Sequence, residues 1–242
     1  MEESALGATA KFLLFILVFA IVAGLFSFVA QRLWGSEQTG PVDASPAIFT
    51  VVLDAGHGGE DGGAVSASGL YEKDLNLSIT MQVRDLLVAN GVRVVMTRTT
   101  DTLLYDRDQD YHGRKKALDL AARRKIGEET EGAIFVSIHM NAYPLSQYSG
   151  LQVWYSKNHT QSRVIADTIQ ERVQSDLQPE NHRQTKAATA GIYLLHHLTC
   201  PAVLVECGFL SNAAEAERLN TPEYQKQLAL LITLAILEAQ SQ

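Results

Sequence analysis

Apolar residues along this chain alternate between short continuous runs and longer stretches in which they recur at helical spacing. The continuous runs are rich in β-branched residues and have the length of strands. They predict strands at residues 48–54, 92–97, 133–138, 151–156, 191–195 and 202–206. Helical spacing predicts helices from Leu75 to the Asn90-Gly91 stop, over 114–126, from Val164 to Leu177, and from the Thr221 N-cap to about Ala239. Continuous apolar strands that alternate with helices are typical of an α/β fold with a mostly parallel sheet.

The apolar run near the N-terminus differs from the others because it is long enough to cross a membrane. Phe12–Ala30 holds 19 residues without a charge. At a helical rise of about 1.5 Å per residue it spans roughly 28 Å, close to the hydrocarbon thickness of a bilayer. A cleaved export signal is the alternative, but Phe28 would then stand at the −3 position of a cut after Ala30, where small residues are preferred. We therefore expect an N-terminal transmembrane helix that serves as an uncleaved anchor.

Changes in polarity divide the chain into three segments. Residues 1–34 are predicted to form the membrane anchor or signal. Residues 35–47 are polar, contain Pro and Gly, and show no periodic pattern, so they are predicted to form a linker. Residues 48–242 are predicted to form one catalytic domain, which is long enough to bury a single core.

The net charge argues against a nucleic-acid-binding surface, and the spacing of the cysteines argues against a disulfide. The formal net charge is −7 and no stripe of clustered Lys and Arg is present, which argues against a surface for nucleic acid. Cys200 and Cys207 are seven residues apart, and along a strand this separation is about 23 Å. A disulfide needs Cα atoms within about 7 Å, so we expect both thiols to be free.

Polar residues stand where several predicted elements begin or end. His57, His139 and Glu206 lie at the ends of the first, third and last predicted strands, and Glu72 lies at the start of the first helix. In open α/β sheets, sites form beyond the carboxyl ends of strands. Two histidines and a carboxylate commonly hold a catalytic zinc ion with an open fourth position, and a second carboxylate can act as the base. Taken singly, each residue fits equally well as a partly buried histidine or a solvated carboxylate, so the residues alone leave both interpretations open.

The glycine-rich segment around His57, VVLDAGHGGEDGGAV (residues 51–65), has an alternative interpretation as a phosphate-binding loop. Its glycines miss the dinucleotide spacing G-x-G-x-x-G by one residue, and Glu60-Asp61 would repel a phosphate. We expect instead that the glycines free the backbone so that His57 turns toward the shared site.

Four segments closely resemble the zinc-dependent N-acetylmuramoyl-L-alanine amidases of bacterial cell walls, the amidase-3 family. They are LDAGHGG, EKDLNL, SIHMNA and PAVLVECGFLSN, and the resemblance covers about residues 49–239. It implies a twisted, mostly parallel sheet flanked by helices. It also implies one Zn²⁺ ion held by His57, Glu72 and His139. By the same resemblance Glu206 is the catalytic carboxylate.

Two positions depart from the residues that often stand in this family. Met140 and Cys207 replace smaller or aliphatic residues, which leaves the implied ligands intact but changes the wall of the pocket. Cys207 has a second interpretation as a zinc ligand or redox switch beside Glu206. Neighbouring side chains on a strand point to opposite faces, so we expect Cys207 to be a small buried hydrophobe instead.

The resemblance implies hydrolysis of the amide bond between N-acetylmuramic acid and L-alanine in peptidoglycan. That substrate places the catalytic domain outside the cytoplasm and the N-terminus inside. An anchor, a short linker and one catalytic unit resemble the layout of germination-specific amidases, which act in spore cortex and help to form muramic-δ-lactam. The alternatives are a vegetative amidase of cell separation, a zinc peptidase that cuts stem peptides, and a non-catalytic peptidoglycan-binding relative.

The partners expected from the sequence are therefore peptidoglycan and, through the N-terminal helix, a membrane. Nucleic acid is not expected, and a requirement for an activator protein stays open. Arg98, Asn141, Arg183 and Lys186 lie near the expected cleft by their proximity to the motifs. Each of these four is predicted to belong to the solvated surface.

Overall fold

The computed structural model describes residues 49–105 and 113–241, which contain six strands and six helices. The predicted anchor at Phe12–Ala30 and the linker lie outside these residues. The strands are β1 (Thr50–Ala55), β2 (Arg93–Met96), β3 (Ala133–Asn141), β4 (Gln152–Tyr155), β5 (Lys186–Ala187) and β6 (Ala202–Phe209). The helices are α1 (Glu72–Ala89), α2 (Lys115–Glu129), α3 (Gln161–Asp176), α4 (Tyr193–His197), α5 (Ala213–Leu219) and α6 (Pro222–Ala239).

All six strands form one sheet in the order β2-β1-β3-β6-β4-β5. Every neighbouring pair is parallel except β4 and β6, which are antiparallel. The expected α/β fold with a mostly parallel sheet flanked by helices is thus confirmed, with one antiparallel pairing that makes the sheet mixed. The parallel strands β1, β3 and β6 are adjacent, so their carboxyl ends meet at one edge.

Helices cover both faces of the sheet because residues along each strand point alternately to opposite sides. Val51 and Leu53 of β1 pack into a large apolar cluster with residues of α1, α3 and α6. Val52 of the same strand packs into a smaller cluster with residues of α2 and α4. We call these the apolar face and the site face, respectively. The predicted cap of α6 is present: the Thr221 hydroxyl accepts a hydrogen bond from Tyr224 N, and Pro222 is the first helical residue.

The predicted strand at 191–195 is wrong, because this segment turns into the short helix α4. Helical hydrogen bonds run from His196 N to Ile192 O and from Leu198 N to Leu194 O. A short apolar run cannot by itself distinguish a strand from one buried helical turn. The two-residue strand β5 and the short helix α5 were not predicted.

Two predicted strand ends are also corrected. β3 continues through His139 to Asn141, and β6 continues through Glu206 to Phe209. Both site residues therefore lie inside their strands, close to the carboxyl ends, rather than just beyond or at them. The pairing of β3 with β6 shifts register between His139 and Asn141. Such irregularities re-aim side chains near sites.

Both cysteines are free, as expected. Cys207 is fully buried in the apolar cluster, so the structure favours a small buried hydrophobe over a ligand. None of the helices in residues 49–105 and 113–241 combines the length and hydropathy that a membrane crossing requires.

Candidate active site

Three of the predicted site residues meet at the edge where β1 and β3 end. His57 Nε2 lies 3.2 Å from Glu72 Oε1, and His139 Nδ1 lies 2.9 Å from the same oxygen. One potential ligand atom from each residue lies within 4.8 Å of the others. Glu206 on the adjacent strand β6 is the Cα partner of His139. The structure thus brings together all four residues that the sequence singled out.

The loop that carries His57 bends sharply through left-handed backbone. His57 itself has φ of +61°, which is uncommon for a residue with a side chain. Gly58 and Gly59, with φ of +140° and +55°, follow it directly. Reciprocal hydrogen bonds between Gly58 and Asp61 close the turn. The glycines therefore permit the turn of His57, as expected, although His57 itself also adopts a strained conformation.

Close approach, rather than flexibility, explains the glycines at two further positions. A Cβ atom at Gly56 would lie 2.2 Å from His139 Cε1. A Cβ atom at Gly63 would lie 2.5 Å from Glu72 Oε2. Both distances are far below van der Waals contact, so a side chain at either position would displace one of the clustered residues.

Two buried arginines hold the backbone carbonyls of this loop. Arg98 Nε donates to Ala55 O at 2.8 Å, and Nη2 donates to Gly56 O at 3.0 Å. Arg123 Nη1 donates to Ala55 O at 2.7 Å, and Nη2 donates to His57 O at 2.7 Å. Three consecutive carbonyls are thus fixed by charged donors, which form stronger hydrogen bonds than neutral ones. The prediction that Arg98 belongs to the solvated surface is wrong: it is 3% exposed.

Arg123 is itself anchored by two buried carboxylates. Its Nη1 contacts Asp54 Oδ1 at 2.6 Å, and its Nε contacts Asp119 Oδ2 at 2.7 Å. Asp54 also accepts hydrogen bonds from Thr97 Oγ1 and Ser137 Oγ. Burial alone would raise the pKa of Asp54, but the Arg123 charge and these hydroxyl groups hold it below its usual value. We call Asp54, Asp119 and Arg123 the buried charge cluster.

Glu72 is oriented by several donors besides the histidines. Its Oε1 accepts from Met140 N at 3.0 Å and from Asn76 Nδ2 at 3.3 Å, while Oε2 accepts from Ala64 N at 2.8 Å. Burial opposes ionisation, but hydrogen bonds and positive charge from His139 and His57 lower the Glu72 pKa well below its usual value. The carboxylate is therefore fixed and ionised, which is the state that a metal ligand needs.

Asp61 is a site residue that the sequence reasoning did not identify. Its Oδ2 lies 2.9 Å from His57 Nδ1, a close approach without the alignment of a hydrogen bond. Burial would lower the His57 pKa, but Glu72 and Asp61 together raise it. A carboxylate behind one ring nitrogen fixes the ring so that the other faces a metal. The only signal in the sequence was that Asp61 lies in the same glycine-rich loop.

Glu206 differs from the other three residues in its surroundings. Part of the residue reaches the surface, but its Oε2 atom is shielded from solvent and has no hydrogen-bond partner among the described residues. Burial, together with the charge of Glu72, raises the pKa of Glu206 to about 7, and the two histidines oppose this rise. A carboxyl group with this pKa can both accept and release a proton near neutral pH.

The residues present fit a zinc ion. Two imidazoles and one carboxylate form the usual set of protein ligands at catalytic zinc sites, which keep one position open. Glu206, the Cα partner of His139, adds a shielded carboxylate oxygen without a hydrogen-bond partner among the described residues. Within residues 49–105 and 113–241, no other group of three or more His, Cys, Asp and Glu side chains brings its ligand atoms within 4.8 Å of one another.

Two clefts adjoin the cluster. The smaller has a volume of about 170 Å³ and is lined by His57, His139, Lys116, Leu120, Ile192 and Tyr193, among others. The larger has a volume of about 380 Å³. It includes Asn141, Arg183 and Lys186, which the sequence analysis had expected near the cleft because they lie close to the motifs in the sequence. Of these three, Lys186 is exposed and the other two are partly buried.

Comparison with known proteins gives consistent matches. Residues 51–238 match the amidase-3 family, described as N-acetylmuramoyl-L-alanine amidase. The chain is 37% identical over 232 residues to the germination-specific N-acetylmuramoyl-L-alanine amidase of Bacillus subtilis, a match that covers 94% of this chain and 93% of that protein. It is 30% identical over 185 residues to the amidase LytC of the same organism, covering 76% of this chain and 34% of LytC.

Solved structures share the fold. The CwlD amidase of Clostridioides difficile, solved in complex with the GerS lipoprotein, superposes with a TM-score of 0.75 at 37% identity, covering 80% of this chain and 98% of that one. The amidase AmiC2 of Nostoc punctiforme gives a TM-score of 0.68 at 30% identity, covering 80% and 98%, respectively.

Proposed function

This chain belongs to the amidase-3 family of N-acetylmuramoyl-L-alanine amidases, and we propose from its site that it is a zinc enzyme in which His57, Glu72 and His139 hold the ion. The chain is a hydrolase of peptidoglycan, as its family and its named relatives are. The observation that carries the zinc proposal is the convergence of these three side chains beside the shielded Oε2 of Glu206.

Bound zinc would supply Lewis acidity, which polarises the scissile carbonyl and makes water acidic enough to lose a proton near neutral pH. Glu206 Oε2 accepts that proton as the water oxygen attacks the carbonyl carbon between the lactyl group and L-alanine. The C–N bond then breaks, and Glu206 gives the proton to the leaving nitrogen. A carboxyl group suits both transfers because it can accept a proton and release it again, and the shielded Oε2 has no competing hydrogen-bond partner among the described residues.

The other residues of the site orient rather than react. Asp61 lies 2.9 Å from Nδ1 of His57 and Glu72 lies 3.2 Å from Nε2, so a carboxylate stands at each ring nitrogen. The backbone N–H groups of Ala64 and Met140 hold the Glu72 carboxylate in one position. Arg98 and Arg123 hold the backbone of the His57 loop. These contacts hold the proposed ligands in place, which reduces the cost of ordering them around an ion.

The test uses the full-length protein loaded with zinc and incubated with purified peptidoglycan. Mass spectrometry should detect peptides with a free N-terminal L-alanine and glycan strands with a free lactyl carboxylate. Glu206→Gln should slow both products by about 10²- to 10⁴-fold, because it removes the base. Its zinc content, measured by metal analysis, should equal that of the wild type.

Two results would contradict the assignment. Cleavage at a bond within the stem peptide would replace the amidase mechanism with that of a zinc peptidase. A Glu206→Gln protein that cuts at the wild-type rate would remove Glu206 from the chemistry.

The biological substrate that we propose is spore cortex, where the cut would precede formation of muramic-δ-lactam. The proposal is supported by the likeness to a germination-specific amidase over nearly the whole of both chains. Deletion of the gene in its host should leave cortex without muramic-δ-lactam, as measured by muropeptide analysis. Normal cortex together with chains of unseparated cells would favour the vegetative alternative.

We also propose that the catalytic domain works outside the cytoplasm, held there by the predicted helix at Phe12–Ala30. The CwlD relative was solved with a lipoprotein, so a partner of the same kind is proposed for this chain. Membrane fractionation of the host and protease treatment of its intact protoplasts would test the location. A full-length protein that resists the protease until the cells are broken would contradict it.

A further inference from the structure

The larger cleft combines aromatic surface with two cations. Its principal lining residues are Tyr143, Tyr148, Trp154, Arg183, Lys186 and Phe209, and we call it the basic cleft. The chain as a whole has 27 acidic and 20 basic residues. A concave surface that shows two cations is therefore contrary to the average charge of the molecule, and it calls for an explanation.

Arg183 is oriented by several contacts at the wall of this cleft. Its guanidinium lies 4.4 Å from the ring centroid of Phe209, which is almost fully buried, and 5.6 Å from that of Tyr148. Its Nε donates to Ser149 O at 2.8 Å. Stacking on aromatic rings and the hydrogen bond from Nε orient the plane of the guanidinium, and Arg183 as a whole is partly buried.

Neither Arg183 nor Lys186 forms an ion pair within 4.0 Å among the described residues, although the charge of Arg183 acts at longer range on the buried carboxylate of Glu215. Arg183 Nη1 makes only a long contact of 3.5 Å with Gln152 Oε1, and Nη2 makes no hydrogen bond within the described part of the chain. Lys186 Nζ lies 5.4 Å from the ring centroid of Trp154. A guanidinium fixed in place with free donors matches the geometry of a carboxylate ligand.

The basic cleft begins directly beside the proposed base. Gln152, which contacts Arg183, is the Cα partner of Glu206 across β4 and β6. On the other side, Asn141 lies two residues beyond His139 and is the Cα partner of Phe209. A substrate whose scissile amide lies at Glu206 would therefore extend into this cleft.

The chemistry of the substrate decides which part would enter. N-acetylated sugars carry no charge, and the lactyl carboxyl group is consumed in the scissile amide. The remaining carboxylates belong to the stem peptide. We propose that the basic cleft binds a carboxylate of the stem peptide through Arg183, with Lys186 adding to the attraction. This inference rests on the proposed function, because it takes the substrate from it.

The test measures selectivity between two synthetic substrates with the full-length zinc-loaded protein. Both are N-acetylmuramoyl tripeptides of the stem, one with free carboxylates and the other with each carboxylate converted to a primary amide. The wild type should cleave the free-acid substrate with a kcat/KM about 10- to 100-fold higher, the effect of a hydrogen bond between charged groups. Arg183→Gln should abolish this preference, mainly through KM, and Arg183→Lys should restore part of it.

A matched control separates the effect from the general loss of an arginine. Arg84→Gln removes a surface guanidinium that pairs with Asp85 on α1, and it should keep the wild-type preference. Equal rates on both substrates for the wild type would overturn the inference. An Arg183→Gln protein that loses the same factor on both substrates would also overturn it.

A binding measurement distinguishes failure of this inference from failure of the proposed function. The free tripeptide is titrated into the Glu206→Gln protein by calorimetry, with and without Arg183→Gln. Binding that depends on both Arg183 and the free carboxylates supports the cleft even if no cleavage occurs. If binding to the Glu206→Gln protein depends on neither Arg183 nor the free carboxylates, while the wild type cuts peptidoglycan, the cleft is overturned and the enzyme assignment stays intact.

Discussion

The two faces of the sheet bury different kinds of surface, although the same strands form both. On the apolar face, Val51 and Leu53 of β1 pack among side chains that are almost all hydrocarbon. On the site face, the alternate residues of the same strand are Val52 and Asp54, and Asp54 pairs with Arg123. A hydrocarbon contact is non-directional, whereas a buried charge must find its partner at one distance and angle.

Because of this difference, the two faces of the sheet contribute to different properties of the protein. The apolar face supplies stability that many side chains of similar volume could provide. The site face holds the backbone of the His57 loop, because Arg123 contacts both the buried carboxylates and the His57 carbonyl. We therefore expect changes on the apolar face to affect stability alone, and changes in the buried charge cluster to affect stability and metal affinity together.

The largest effect is expected from Arg123→Met, which keeps much of the volume but leaves Asp54 buried without its cation. Unfolding of the zinc-free protein in urea should show a loss of about 3–5 kcal/mol. Zinc affinity of the folded fraction, measured by competition with a chelator, should also fall. Ile232→Val on the apolar face is the counterpart: about 0.5–1.5 kcal/mol of stability lost, with unchanged zinc affinity. Equal zinc affinities in both variants would refute the division of tasks.

A smaller effect is expected from a single methyl group at the site. Gly63→Ala places a Cβ atom 2.5 Å from Glu72 Oε2 at a backbone φ of +67°. Gly69 also has positive φ, +86°, but no atom lies within 4 Å of its Cβ position. Both alanines should cost about 1–2 kcal/mol of backbone strain. Only Gly63→Ala should weaken zinc binding, as measured by calorimetry, and equal weakening in both would show that strain rather than contact matters.

The smallest expected effect is the pH dependence of the free energy of unfolding. The Asp54 pKa is lowered in the folded protein, so Asp54 contributes stability above the unfolded pKa of about 3.9, and this contribution is lost as the pH falls through the lower folded value. Glu72 contributes with the same sign. His57, with a raised pKa, contributes stability that is lost only as the pH rises above about 6.5.

Comparison of wild type with Asp54→Asn in zinc-free buffer isolates the Asp54 contribution. Denaturant unfolding at pH 3 to 6 should show a steeper loss of stability on acidification for the wild type. Parallel curves for the two proteins would mean that Asp54 does not titrate differently in the folded state.

The four central site residues could be placed at one edge of the sheet because each lies at or near the end or start of an element with a clear apolar pattern, whereas their roles came from the family resemblance. His57 follows a buried strand, and Glu72 opens a helix of regular spacing, so topology alone places them at one edge. Arg98 was not predictable in this way. Its burial arises from contacts with Gly56 and Lys73, which are distant in the sequence, and a polar local context gives no sign of them.

The short elements were not predicted correctly for a related reason. α4 contains one helical turn, and its Leu194 and Leu195 are apolar because they fill the cluster on the site face. Five residues are too few to show a period of 3.6. β5 has two residues, and its existence depends on pairing with β4 rather than on any pattern of its own.

The burial of Cys207 has a consequence for chemical durability. Its thiol lies one residue from Glu206, yet it points into the apolar cluster on the opposite face, and burial raises its pKa well above the usual value. Thiolate is the form that alkylating agents and peroxides attack, so this sulfur is protected on two counts. We therefore expect Cys207, although it lies next to the proposed base, to stay unmodified when the folded protein is treated with iodoacetamide or hydrogen peroxide.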